Sequence, residues 1–256
     1  MEQQILQELE SAAKIILAPP SMISNQQRTE AETIFMNFRR TKCPYQICKY
    51  IFENSSIDYV IFETSNTLKE AIIREWNYME IEDINSIRNY LLQHILNNPN
   101  IAVFVREKIL QVIAIMVKRG SVTDLGAERS KLLGQVEQLI MSGELRKQIL
   151  GCCIICALMQ EYASTIKSAD VGLPWEIHLN AKKEFEITDL KKIFQLCVTS
   201  LNEISRINGP FSDNALMLIK SLLQIAEGTL MWSFISAANI LLLFLEYLIY
   251  IFIKSR

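Results

Sequence analysis

A chain of 256 residues, half of them apolar and 21% charged, has ample material for a folded core, which excludes disorder. A net charge of −2 sets nucleic acid aside as a partner on electrostatic grounds. The opening MEQQILQELE carries acids where a secretory leader is basic, so the six cysteines are expected to be free thiols.

In chain order, Gln3 to Leu17 predicts an amphipathic helix with Ile5, Leu6, Leu9, Ala12, Ala13 and Ile16 on one face, ended by Pro19-Pro20. Ser24 and Gln27 have capping-box spacing and open a helix through Arg40. Pro44 opens the next, with Ile47, Cys48, Ile51 and Phe52 inward. After Asn54-Ser55-Ser56 a long helix is expected from Ile57 to Tyr78, its core drawn from Val60, Ile61, Leu68, Ala71, Ile72 and Trp76. Asp83 to Asn97 predicts the first helix of a third pair.

Its partner is the most apolar stretch before the tail, Asn100 to Gly120, bracketed by Pro99 and Gly120 as start and stop. Of its residues up to Arg119, 13 of 20 are apolar. The apolar arc is wider than a surface helix needs, so it must be covered on more than one side. Glu128 to Ser142 and Glu144 to Thr165 form a fourth pair around Gly143, followed by a polar, less regular insert, 166–187. Asp189 to Arg206 and Asn214 to Phe234 complete a fifth pair.

First helices thus begin near residues 3, 44, 83, 128 and 189, spacings of 41, 39, 45 and 61, the last lengthened by the insert. Two-helix units at this period indicate an all-α fold, an α-solenoid of HEAT-type antiparallel helix pairs winding as an ARM-type superhelix. A compact helical bundle is the alternative. On this reading residues 1–235 form one N-terminal arch and 236–256 a divergent tail.

The chemistry of an enzyme is not apparent. His94 and His178 stand far apart, and no phosphate loop, HExxH or GxSxG occurs. Cys153 and Cys156 have metal-ligand spacing, but they lie in the apolar run ILGCCIICALM with no second pair, so buried helical thiols are expected and no metal or cofactor. What remains is a surface for other proteins.

The segments LESAAKIILAPPSMISNQQRTEAETIFMNFRR, DYVIFETSNTLKEAIIREW, VREKILQVIAIMVKRG, VGLPWEIHLNAKKEFE and LMWSF resemble the exportin-4 family of nuclear transport receptors, in the importin-β (karyopherin) superfamily. The likeness runs from about Leu9 to Phe234. Ser121 stands where the family pattern leads one to expect tryptophan. The resemblance implies an arch of HEAT repeats that binds the small GTPase Ran in its GTP state. Protein cargo and nucleoporins are further implied partners, with shuttling between nucleus and cytoplasm. It places Ran-GTP on the second helices of the first three pairs. The polar residues there that the core does not use are Glu30 on the first, Glu63, Asn66 and Glu70 on the second, and Arg106 and Lys108 on the third.

From about Ser236 the likeness ends, and the chain stops after five repeats, which suggests a fragment, a truncated isoform or a translated intron. Within 235–253 there are 12 residues of Ile, Leu or Phe and one charge, Glu246, a stretch long enough to span a bilayer. The second functional reading is therefore a helical-repeat scaffold anchored in a membrane by its tail.

Overall fold

The computed structural model describes residues 1–163, 172–206 and 210–232. Its described regular structure is helical throughout, eleven α-helices and one 3₁₀ turn, and no strand occurs among the described residues. The chain divides into two compact units, 1–116 and 117–256.

In the first unit α1 (Glu2–Leu17) buries Leu6, Leu9, Ala12 and Ala13, the stripe expected from the sequence. It packs against α2 (Asn25–Arg39), whose inward face is Ala31, Phe35 and Phe38. The capping box forms as read: the Ser24 hydroxyl accepts from the Gln27 amide at 3.2 Å and the Gln27 side chain accepts from the Ser24 amide at 2.9 Å. Two of the orphan donors at this helix start are thereby satisfied. The second hairpin is α3 (Tyr45–Asn54) with α4 (Asp58–Glu75), and α4 also packs on α2, so neighbouring hairpins stack. Trp76–Tyr78, expected as the end of α4, tightens into the 3₁₀ turn. Phe52 on α3 meets Tyr90 and His94 of α5 (Ile81–Asn97) at centroid distances of 6.4 and 5.3 Å.

The last helix of this region, α6 (Val103–Asp124), corrects the expected limits. Residues 98–101 form a turn closed by the Ile101 amide on the Asn98 carbonyl, so Pro99 does not open the helix. Gly120 does not close it either. The chain runs helically through Gly120 and Ser121, whose hydroxyl donates to the Lys118 carbonyl at 2.6 Å. It stops where Leu125 and Gly126 take left-handed φ of 52° and 80°. Residues 112–119 are buried in succession, as the wide apolar arc required.

In the second unit α7 (Ala127–Ile140) pairs with α8 (Leu145–Ala163) across a turn in which Gly143 has φ 74°. Close approach at this pairing depends on Gly151: a Cβ there would lie 2.7 Å from Ile140 Cγ1. The described part of the insert is not irregular. It forms α9 (Trp175–Thr188), held by the narrow stripe His178, Ala181 and Phe185, and packs on α8. The remaining pair is α10 (Leu190–Ser205) with α11 (Asp213–Met231), and α11 also stacks on α8. Each unit is therefore built of stacked antiparallel hairpins, the architecture of an all-α HEAT-type solenoid. All six cysteines are free; Cys48, Cys152 and Cys197 are buried, but Cys153 and Cys156 are half-buried rather than enclosed. The apolar stretch 235–253 lies outside the described residues, and no described helix is long and apolar enough to cross a membrane.

Candidate partner-binding surface

The residues singled out on the second helices fall in the first unit, on α2, α4 and the start of α6, and the structure sorts them into two seams. The seam between α2 and α4 is made by Arg39 and Glu63. Glu63 was expected to stand clear of the core, but it is only 4% exposed, a correction with a plain cause. Arg39 reaches across and donates to Glu63 Oε2 from Nε at 3.0 Å and again from Nη2. A carboxylate can be buried here because a guanidinium fork answers it. Burial alone would lower the Arg39 pKa; hydrogen bonding to Glu63 and the charges of Glu63 and Glu70 outweigh it and raise it. Glu70, on the same side of α4, is exposed and adds a further attraction for Arg39.

Beneath this seam lies a group of buried polar side chains not anticipated as core. Thr64, Ser65 and Thr67 are fully buried, and each hydroxyl bonds back to a carbonyl of its own helix, at Val60, Ile61 and Glu63, at 2.8 to 3.0 Å. Small side chains satisfied by their own backbone let helices approach closely without stranding a polar group.

The second seam, between α4 and α6, is aromatic and cationic. Phe62 of α4 lies 5.6 Å from Phe104 of α6. Lys108, one turn on from Phe104, holds its ammonium 5.2 Å over the Phe62 ring and donates to Gln111 Oε1 at 3.0 Å. Burial lowers the Lys108 pKa first, and the neighbouring charges of Lys69 and Arg39 push it the same way, with Glu63 opposing. Asn66, half-buried, stands on α4 between the two seams. Phe104 stays 48% and Val103 57% exposed.

Two named residues are not gathered in. Arg106 and Lys108 are two positions apart, so they leave α6 on opposite sides. Arg106 is half-buried and its Nε has no hydrogen-bond partner among the described residues. Glu30 is exposed near the start of α2, bonded to Gln26 at 3.0 Å and away from both seams. Arg39, Phe62, Lys69 and Phe104 are the residues not expected from the sequence. The signal was available: Phe104 and Lys108 share a face at i and i+4, and Phe104 lies off the apolar stripe.

A second polar cluster, in the other unit, is enclosed. Arg129 (1% exposed) donates from Nε to Asp189 Oδ2 at 2.7 Å and lies over the rings of Tyr162 and Phe185 at 5.5 and 5.8 Å. Lys118 donates to the Glu161 carboxylate at 3.1 Å and to the Glu161 carbonyl at 2.6 Å. Both pairs are buried ties between helices. Among the described residues no group of His, Cys, Asp and Glu is placed to hold a metal ion.

Set against known proteins, residues 1–251 match the model of a family described as Exportin-4. Exportin-4 of Dictyostelium discoideum is 23% identical over 261 residues, covering 96% of this chain and 23% of its own length. Exportin-7-A of Xenopus laevis is 25% identical, covering 83% of this chain and 19% of the relative. Ran-binding protein 17 of Mus musculus is 26% identical, covering 70% of this chain and 16% of the relative. The chain thus spans less than a quarter of the length of the curated relatives it matches.

Proposed function

The chain belongs to the Exportin-4 family, within the importin-β (karyopherin) superfamily of nuclear transport receptors, and we propose that it is an exportin-4-type N-terminal portion that binds Ran-GTP. The observation that carries this reading is the ribbon of charged and aromatic side chains on α2, α4 and α6. Arg39, Glu63, Asn66, Glu70, Phe104 and Lys108 lie on the second helices of the three hairpins, where the resemblance leads one to expect the GTPase. The name of Ran-binding protein 17 supports the same partner. Protein cargo and nucleoporins are proposed partners of the whole receptor, which would shuttle between nucleus and cytoplasm. The family is one of transport receptors, not of enzymes, and nothing in the ribbon pairs a nucleophile with a base.

Nucleotide dependence tests the proposal. The chain, immobilised, should retain Ran loaded with a non-hydrolysable GTP analogue and release Ran loaded with GDP. Equal retention of both forms, or retention of neither, would refute it.

A further inference from the structure

The chemistry of the partner follows from which charges on the ribbon are already answered within the protein. At the α2–α4 seam Glu63 is committed to Arg39, and Glu70 is attracted to the same guanidinium. That seam sets two carboxylates against one guanidinium. At the α4–α6 seam the balance differs. Lys69 and Lys108 repel each other, and among the described residues the carboxylate that acts on Lys108 is Glu63, which Arg39 already engages. Glu107, the acidic residue nearest in sequence, is exposed on α6 about a hundred degrees round from Lys108. Alongside the two ammonium groups stand Phe104, half exposed, and Phe62 behind it.

An aromatic side chain exposed to this extent beside two ammonium groups is complementary to an apolar side chain flanked by carboxylates. We propose that the GTPase surface seated on the α4–α6 seam presents a carboxylate to Lys69 and Lys108 next to an apolar side chain that packs on Phe104. The proposal rests on the Ran-GTP reading above. It assigns the two seams different work: the α4–α6 seam receives the acidic partner, and the α2–α4 pair holds the hairpins together.

Its test is the sign of the charge effect. Binding of GTP-loaded Ran to the full chain is measured at low and at physiological salt for four variants. Lys69→Glu with Lys108→Glu should weaken binding by about tenfold or more at low salt, the gap narrowing as salt screens it. Phe104→Ala should weaken it by about tenfold at either salt, as removal of a central aromatic anchor does. Glu70→Lys, which adds a cation, should leave binding equal or tighter. Lys69→Glu alone, at a half-buried position with no hydrogen bond among the described residues, keeps the test valid if the double variant loses helicity by circular dichroism. Ran binding that is unchanged by the lysine reversals, or is weakened by Glu70→Lys, would overturn this inference and leave the Ran reading standing. Absence of GTP-dependent binding by the unaltered chain would overturn both.

Discussion

Removing the cation from the enclosed cluster of the second unit should be among the most damaging single changes in that unit. Arg129→Met retains most of the stem but strips the guanidinium from Asp189, whose side chain is 1% exposed. What is left to that carboxylate is the Thr188 hydroxyl at 2.7 Å. Breaking a buried pair by deleting one partner costs about 3–5 kcal/mol, because the survivor keeps its desolvation penalty. Loss of the guanidinium from over Tyr162 and Phe185 adds roughly 1–2 kcal/mol. Asp189→Asn should cost less, since Arg129 keeps Thr188 at 3.2 Å and Glu184 at 3.6 Å. The double variant should be more stable than the sum of the singles by roughly 2 kcal/mol, the signature of direct coupling. Urea titrations followed by far-ultraviolet circular dichroism give the three values, compared at equal m. Costs below about 1 kcal/mol for Arg129→Met, or strict additivity in the cycle, would refute the assignment of this pair as a buried tie.

Three further outcomes are expected. Gly126→Ala should be destabilising, because φ is 80° and the added Cβ would lie 2.7 Å from Arg129 Nη2, whereas Gly134→Ala, in a helix interior with nothing within 4 Å, should raise stability by about 0.5–1 kcal/mol; thermal unfolding reads both. Arg39→Ala should lower the melting temperature, since it leaves the Glu63 carboxylate buried without its guanidinium, while Glu70→Ala at the exposed position should not. Stability should fall as pH rises above about 8.5, the thiol value in the unfolded chain. Burial raises the folded pKa of Cys48 and Cys152 and pushes Cys197 up to about 12, so the folded state holds protons that the unfolded chain has released. Lys118, whose pKa burial lowers, works in the opposite direction, and the buried Tyr162, its pKa raised by burial, reinforces the thiols. Cys197→Ala should flatten the slope in melting curves taken with reductant from pH 8 to pH 10.5, and an unchanged slope would count against the thiol as its source.

The sequence by itself determined the parts of this protein that depend on local rules. Apolar stripes at helical spacing located the helices, since a side chain's face is set by backbone periodicity alone. The Ser24–Gln27 box was legible because both partners lie within one turn. The hairpin period followed from spacing, and the family from five stretches of residues. Tertiary structure decided what depends on neighbours distant in the chain. Glu63 reads as a surface acid until Arg39, 24 residues away, is placed beside it. Thr64, Ser65 and Thr67 are outside the apolar set expected to form the core of α4, yet all three are buried. Gly120 reads as a helix stop, but the left-handed turn lies at Leu125 and Gly126, because a glycine within an enclosed helix costs only about 1 kcal/mol and the surrounding burial outweighs it. The polar majority of 175–188 hid the three-residue stripe that makes it a helix. At the candidate surface the sequence supplied the helices and the residue types. Only packing divided them into an ion-paired seam and a cationic aromatic one, since charge pairing is a property of which side chains meet and not of their order along the chain.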